Sequence, residues 1–206
     1  MSISSSLFPK IALFGLLTSF SCVAIDVTAT LPVRLSQVKA GTQPVELMGT
    51  ELKTGQKAPS FKVVDNAFRP VSLSDYQGKT ILISVVPSID TGTCSLQTKR
   101  FNEEVAALPA DVVLLTISTD LPFAQKRYCQ QEQVNNMAVL SDAVWRDFGS
   151  NYGLLIKNMG LLTRAVLIID NQGNLVYQQL VNQLSQEPDY TDALNTLQQL
   201  INKKPS

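Results

Sequence analysis

Two continuous apolar runs rich in β-branched residues, Ile81 to Val86 and Val112 to Ser118, frame this chain. Each is short enough for a strand buried on both faces, which reads as unbroken rather than alternating hydrophobicity. Between them Leu96, Phe101, Val105 and Leu108 recur at steps of five, four and three, near one face of a helix. Strand, helical crossover and strand predict a parallel pair joined by a right-handed connection.

The pattern continues on both sides of this unit. Asp120 is placed to cap a second helix with Pro122 in its first turn, where a missing N–H costs nothing, and Phe123 to Gln131 carries Cys129. Ala138 to Asp142 reads as a short strand before a capped helix running through Tyr152, with Trp145 and Phe148 expected in the core. Gly153 to Leu162 reads as a loop. Thr163 to Asp170 predicts a strand that turns at Asn171–Asn174 and pairs with Leu175 to Val181 as a hairpin. Tyr190, Ala193, Leu194, Leu197, Leu200 and Ile201 then form the apolar stripe of a closing helix over Asp189 to Lys203. Upstream, Phe61 to Asp65 reads as a strand and Val71 to Lys79 as a turn-rich approach to the central one. Val45 to Leu52 reads as a hairpin turning at Gly49–Thr50, and Ile25 to Gln43 as an extended leader with little structure of its own.

At the N-terminus Lys10 precedes Ile11 to Phe20, an apolar stretch of about ten residues, too short for the roughly 20 that span a bilayer. With Cys22-Val23-Ala24 behind it, residues 1–24 predict a signal peptide cleaved after Ala24 and an exported, periplasmic protein without stable membrane insertion. Cys22 raises lipid anchoring as the alternative, which Ser19 and Phe20 fit poorly. Residues 25–43 would then be the leader and 44–206 one folded domain.

Composition narrows the function. The 17 basic and 17 acidic side chains are dispersed, so nucleic acid, which selects concentrated basic surface, is not an expected partner. The chain has no histidine, which excludes a cysteine–histidine or serine–histidine nucleophile and most zinc sites. Any activation of a thiol must therefore come from a helix terminus, hydrogen bonds or arginine.

Cys94 follows the polar, glycine-containing stretch Ser88–Thr93 and opens the first predicted helix. Unpaired N–H groups and the positive end of the macrodipole at that position favour thiolate over thiol. A strand-loop-helix cysteine is by itself more often a small buried hydrophobe than a reactive thiol. Two cysteines in an exported protein would by themselves read as one structural disulfide.

Pro87, Thr91 and Cys94 fall in a PxxxTxxC pattern, and VVPSIDTGTC with Phe101-Asn102 resembles the thiol peroxidase subgroup of the peroxiredoxins. LPFAQKRYC around Cys129 resembles the segment that holds that subgroup's resolving cysteine. RAVLIID, opened by Arg164, resembles the strand whose arginine bonds the peroxidatic sulfur, a context that Arg100, Arg127 and Arg146 lack. The hairpin before Gly55-Gln56-Lys57-Ala58-Pro59 resembles the one that sets the subgroup apart. The resemblance implies an α/β, thioredoxin-like fold with a central mixed sheet flanked by helices and an N-terminal β-hairpin. It implies that Cys94 attacks the O–O bond of hydrogen peroxide or an organic hydroperoxide and becomes a sulfenic acid. Thr91 would hydrogen-bond thiolate and peroxide, Pro87 would shield the site from water, and Arg164 would hold the sulfur by charge. Cys129 would condense with the sulfenic acid to an intramolecular disulfide, recycled by a thioredoxin-like dithiol protein. No metal, haem or flavin is implied, and a homodimer is. Export departs from the usual pattern, since a cytosolic thioredoxin would be out of reach. The competing class is a non-catalytic thioredoxin-fold protein with a structural or redox-sensing disulfide.

Overall fold

Every residue of Thr80–Val85 is buried, so this strand has no solvent side and must lie inside a sheet covered on both faces. The computed structural model of the protein, which describes residues 31–105 and 108–203, places it third in a sheet of seven. Lys10, Cys22, Ala24 and the expected cleavage site lie outside the described residues.

In chain order the strands and helices are β1 (Val33–Ala40), β2 (Gln43–Met48), β3 (Lys62–Val64), β4 (Pro70–Ser72), β5 (Thr80–Val85), α1 (Gly92–Val105), β6 (Val112–Ser118) and α2 (Pro122–Gln131). There follow β7 (Ala138–Ser141), α3 (Asp147–Asn151), β8 (Leu155–Ile156), β9 (Ala165–Ile169), β10 (Leu175–Leu180) and α4 (Tyr190–Lys203). The large sheet runs β10-β9-β5-β6-β7-β3-β4, and β1-β2-β8 form a second sheet. β5, β6 and β7 are parallel, with Ile83 opposite Leu115 and Ile117 opposite Leu140. β9 runs antiparallel to β5, with Ala165 opposite Val85. This is the mixed sheet of a thioredoxin-like fold.

Alternation along β5 divides the core. Ile81, Ile83 and Val85 face a cluster with Phe61, Phe148, Tyr152 and Leu155, whereas Leu82 packs with Phe101, Tyr190 and Leu197. α1 and α2 share one face, because successive right-handed crossovers in one direction return to the same side, and α4 packs on that face through Tyr190, Ala193 and Leu197 beside Phe101.

Several expectations need correction. The N-terminal hairpin is β1 and β2, turning at Gly41 (φ 64°) and Thr42, so residues 33–43 are structured rather than a leader. Burial alternates along β1, but its apolar residues change phase: Val33 and Leu35 are exposed, whereas Val38 is buried. Gly49 is not a hairpin turn: its φ is 105° and a Cβ there would come within 2.1 Å of the Ser150 carbonyl oxygen, a close approach only glycine allows. Trp145 is 41% exposed and lies over the Lys62 ammonium. Leu96 is 53% exposed, since its step of five to Phe101 turns it off the packed face. Asp120 caps nothing; Leu121 holds the N-cap position of α2 without a side-chain bond, and Pro122 begins the helix as expected. Within the expected loop Gly153–Leu162 only Leu155–Ile156 form a strand, β8, bonded to β2, and the turn after it leaves Met159 exposed.

Candidate active site

The C-terminal end of β5 releases the chain through Val86 and Pro87, both buried, into Ser88–Thr91 and then α1. Asp120 fixes this loop: its carboxylate accepts from Ser88 Oγ (2.7 Å), Ile89 N (2.8 Å) and Ser118 Oγ (2.7 Å). A residue that sequence pattern assigns to a helix cap thus ties the loop before Cys94 to the end of β6.

Cys94 is the third residue of α1, inside the first turn, where backbone N–H groups lack intrahelical partners. Its side chain is fully buried against Val86, Ile89, Tyr128, Val134 and Val139. Arg164 immediately precedes β9, and the pairing of Ala165 with Val85 brings it to the end of β5 where Cys94 emerges. Arg164 Nη2 donates to Cys94 Sγ at 3.1 Å, and Nη1 donates to Gln97 Oε1 at 2.6 Å. Nε and Nη2 also donate to the Leu184 carbonyl at 3.2 and 2.8 Å.

Gln97 extends the arrangement. It lies three residues after Cys94, hence on the same helix face, and its Nε2 donates to Ser84 Oγ of β5 at 2.8 Å. Ser84, Gln97 and Cys94 are 0% exposed and Arg164 is 1% exposed. Among the described residues Arg164 makes no ion pair with a carboxylate. A buried cation held only by an amide, a carbonyl and a sulfur stabilises negative charge on that sulfur, because an isolated charge away from water is costly. Sequence pattern misses Gln97, although an amide one turn from a reactive cysteine in a histidine-free chain is a usable signal.

Pro87 is buried just beyond the end of β5. Thr91 lies on the exposed rim. Its hydroxyl donates to the Ser88 carbonyl at 3.2 Å rather than to Cys94, and its carbonyl accepts from Ser95 N at 2.9 Å in the first helical turn.

Cys129 lies on α2, half-buried, against the apolar cluster that encloses Cys94, and lines a small cavity with Asp65, Asn66, Met137 and Leu140. Both thiols are free. Burial pushes the Cys129 thiol up, against the pull of its own backbone, so at neutral pH it is protonated. Polar contacts from three α1 residues, Ser95, Lys99 and Asn102, tie it to the α2 segment. Tyr128 Oη lies 3.2 Å from Ser95 O and 3.1 Å from Ser95 Oγ, Lys99 Nζ pairs with Glu132 at 3.0 Å, and Asn102 Oδ1 accepts from Asn135 N (3.2 Å) and Asn136 N (2.9 Å).

The chain as a whole is similar to known proteins. A family model described as Redoxin matches residues 53–194. The thiol peroxidase of Listeria innocua is 48% identical over 160 residues, and that of Staphylococcus saprophyticus 44% over 160 residues; each alignment spans 78% of this chain and 96% of the relative. Among solved structures, a peroxiredoxin-like protein from Aquifex aeolicus superposes with a TM-score of 0.75 at 38% identity, covering 81% of this chain and 98% of its own. A thiol peroxidase from Chromobacterium violaceum, at 23% identity, shares the fold with a TM-score of 0.72 over 81% of this chain and 98% of its own.

Proposed function

The chain belongs to the Redoxin family and is a thiol peroxidase of the peroxiredoxin kind, and on that premise we propose that Cys94 is its peroxidatic and Cys129 its resolving residue. The observation that carries the assignment is the fully buried Arg164 Nη2–Cys94 Sγ contact of 3.1 Å.

The Cys94 thiolate attacks one oxygen of the hydroperoxide. The S–O bond forms as the O–O bond breaks, and the departing alkoxide or hydroxide takes a proton to leave as alcohol or water. Arg164 holds the thiolate in place and offers charge-assisted N–H groups to the oxygens as negative charge develops. Burial keeps bulk water from that charge, which strengthens the interaction. Cys94 is left as a sulfenic acid, two electrons oxidised. The Cys129 sulfur then displaces hydroxide from it, giving a disulfide and water. A thioredoxin-like dithiol protein returns both cysteines to thiols and becomes a disulfide itself.

The helical placement of the cysteines supports a working disulfide rather than a static staple. Each sits on its own crossover helix, and the polar ties between those helices must loosen for the sulfurs to meet. In this reading Thr91, exposed on the rim, meets the incoming peroxide, and the buried Pro87 excludes water behind it.

Export to the periplasm, with cleavage after Ala24, is part of the same proposal and is supported by Lys10 and the apolar stretch that follows it. The reductant is then a dithiol protein of that compartment. A homodimer follows from the resemblance; the exposed Phe68–Phe123 ring pair, 5.0 Å apart, is apolar surface such a dimer would cover. Consumption of hydrogen peroxide and of an organic hydroperoxide by the purified protein with a dithiol reductant tests the proposal. Turnover in the parent and none in Cys94→Ser is the expected result; turnover retained in Cys94→Ser contradicts it.

A further inference from the structure

The carbonyl that steadies Arg164 belongs to a loop that the N-terminal hairpin holds. Leu184 lies between β10 and α4, and its carbonyl oxygen takes the Nε–Nη2 edge of the guanidinium at 3.2 and 2.8 Å. The segment Asn182–Leu184 is fixed twice by β1: Leu184 N donates to Lys39 O at 3.0 Å, and Lys39 N donates to Asn182 O at 2.8 Å. Together these make a short parallel bridge between Lys39 and Gln183. The Leu184 side chain packs into the hairpin's own apolar cluster of Val38, Val45, Leu47 and Ile156. The loop also reaches the site from its other side, where Thr93 Oγ1 in the first turn of α1 donates to the Ser185 carbonyl at 3.2 Å.

We infer that the N-terminal β-hairpin is a positioning element of the active site: through the backbone of Lys39 it sets the Leu184 carbonyl, which aims the Arg164 guanidinium at Cys94. The physical case rests on directions. A planar guanidinium on a long flexible stem needs fixed acceptors to select one orientation, and a fixed fork loses less freedom per bond formed. Gln97 fixes the Nη1 side. Leu184 fixes the opposite edge and leaves Nη2 shared with Cys94. The Leu184 carbonyl lies in a connection between secondary elements, which alone has little to hold it, whereas pairing with β1 makes it part of a sheet edge. Lys39 acts through its main chain, so the side chain present there is not what carries the effect. This inference rests on Arg164 serving Cys94 as proposed above.

The test compares the second-order rate of the reduced protein with hydrogen peroxide across pH, by rapid quench, in the parent, Lys39→Pro, Leu184→Ala, Leu35→Ala and Arg164→Ala. Proline deletes the N–H that holds Asn182, and Leu184→Ala releases the loop from the hairpin cluster without touching the carbonyl. Leu35 is an exposed position of the same strand. The expected result is a rate about 10–100-fold lower in Lys39→Pro, the upper figure being the cost of misplacing a catalytic group by about 1 Å. Its pH profile should move in the alkaline direction, as that of Arg164→Ala does; Leu184→Ala should follow less strongly, and Leu35→Ala should match the parent. A merely structural role for the hairpin would lower the melting temperature and leave the rate and pH profile of folded protein unmoved. Should Lys39→Pro fail to fold, Leu184→Ala decides. Parental rate and profile in the folded junction variants, with Arg164→Ala impaired, overturn the inference alone; parental behaviour in Arg164→Ala as well overturns the active-site assignment it rests on.

Discussion

Arg164 and Cys94, 70 residues apart in sequence, meet at 3.1 Å in a site from which water is excluded. Their contact arises from strand register: β9 runs antiparallel to β5, and its first residue pairs with the last residue of β5. The charge that a thiolate needs is therefore delivered by the sheet rather than by the loop that carries the thiol.

Arg164→Ala is expected to slow the peroxide step by roughly 10–100-fold, corresponding to loss of a charge-assisted hydrogen bond of about 1.5–3 kcal/mol. Arg164→Lys should recover only part of this, because an ammonium keeps the charge and loses the planar fork. Second-order rates against pH, with exposed Arg127→Ala as control, measure the effect. An unmoved rate and profile in Arg164→Ala would make it an ordinary strand-end arginine.

Gln97→Leu leaves the Ser84 hydroxyl and one Arg164 N–H without their partner. Each buried polar group so orphaned costs about 1–3 kcal/mol, so urea unfolding should show lowered stability together with a several-fold slower peroxide step. A stable variant with the parental rate would show that the guanidinium needs no hold on that side.

In the proposed cycle the ties between α1 and α2 loosen for the two sulfurs to meet, and Tyr128 is the most buried of those ties. Tyr128→Phe should quicken conversion of the sulfenic acid to disulfide by a few-fold while leaving the peroxide step unchanged. The resolving step should also climb with pH from 7 to 9 in both proteins, because burial pushes the Cys129 thiol up and little of it is ionised at neutrality. Quench-flow mass spectrometry separates the two steps. A resolving rate independent of both Tyr128 and pH would place the limit elsewhere.

Asp142 accepts from Phe148 N (3.0 Å) and Gly149 N (2.9 Å) at the start of α3. Burial pushes its carboxyl up to about 7 despite those donors and Arg146, with Asp147 adding to the rise. Unfolded, the group titrates at about 4. Between these values the folded state binds the proton and the unfolded state does not, so this contribution to stability is present below pH 4 and is lost as pH rises through 7. Denaturant midpoints for the parent should fall more steeply from pH 4 to 7 than those for Asp142→Asn. Parallel slopes would contradict this.

The sequence discloses the central strand, the crossovers and both cysteines because each is local: an apolar run, a helical repeat, a thiol at a helix start. Arg164 is visible only by resemblance, since nothing in its neighbours says that a register between β5 and β9 will bring it to Cys94. Gln97 and Leu184 escape altogether. A glutamine in a helix reads as surface, and a leucine in a connection gives no sign that its carbonyl is the working group. The hairpin is misplaced because the apolar residues of β1 change face, Val33 and Leu35 outward and Val38 inward, and because Gly49, which looks like a turn, is instead a site of close backbone approach. Asp120 and Trp145 mislead for a related reason, since their residue types fit the local pattern while their partners are distant.

The central claim, that Cys94 is oxidised by peroxide and Cys129 resolves it within one chain, is tested most directly by peptide mapping after one equivalent of hydrogen peroxide. Reduced parent should yield a Cys94–Cys129 disulfide in a single chain, reversible by mild dithiol, and Cys129→Ser should yield a sulfenic acid confined to Cys94. Unchanged thiols at Cys94, or a bond between Cys94 and a second chain, would contradict it.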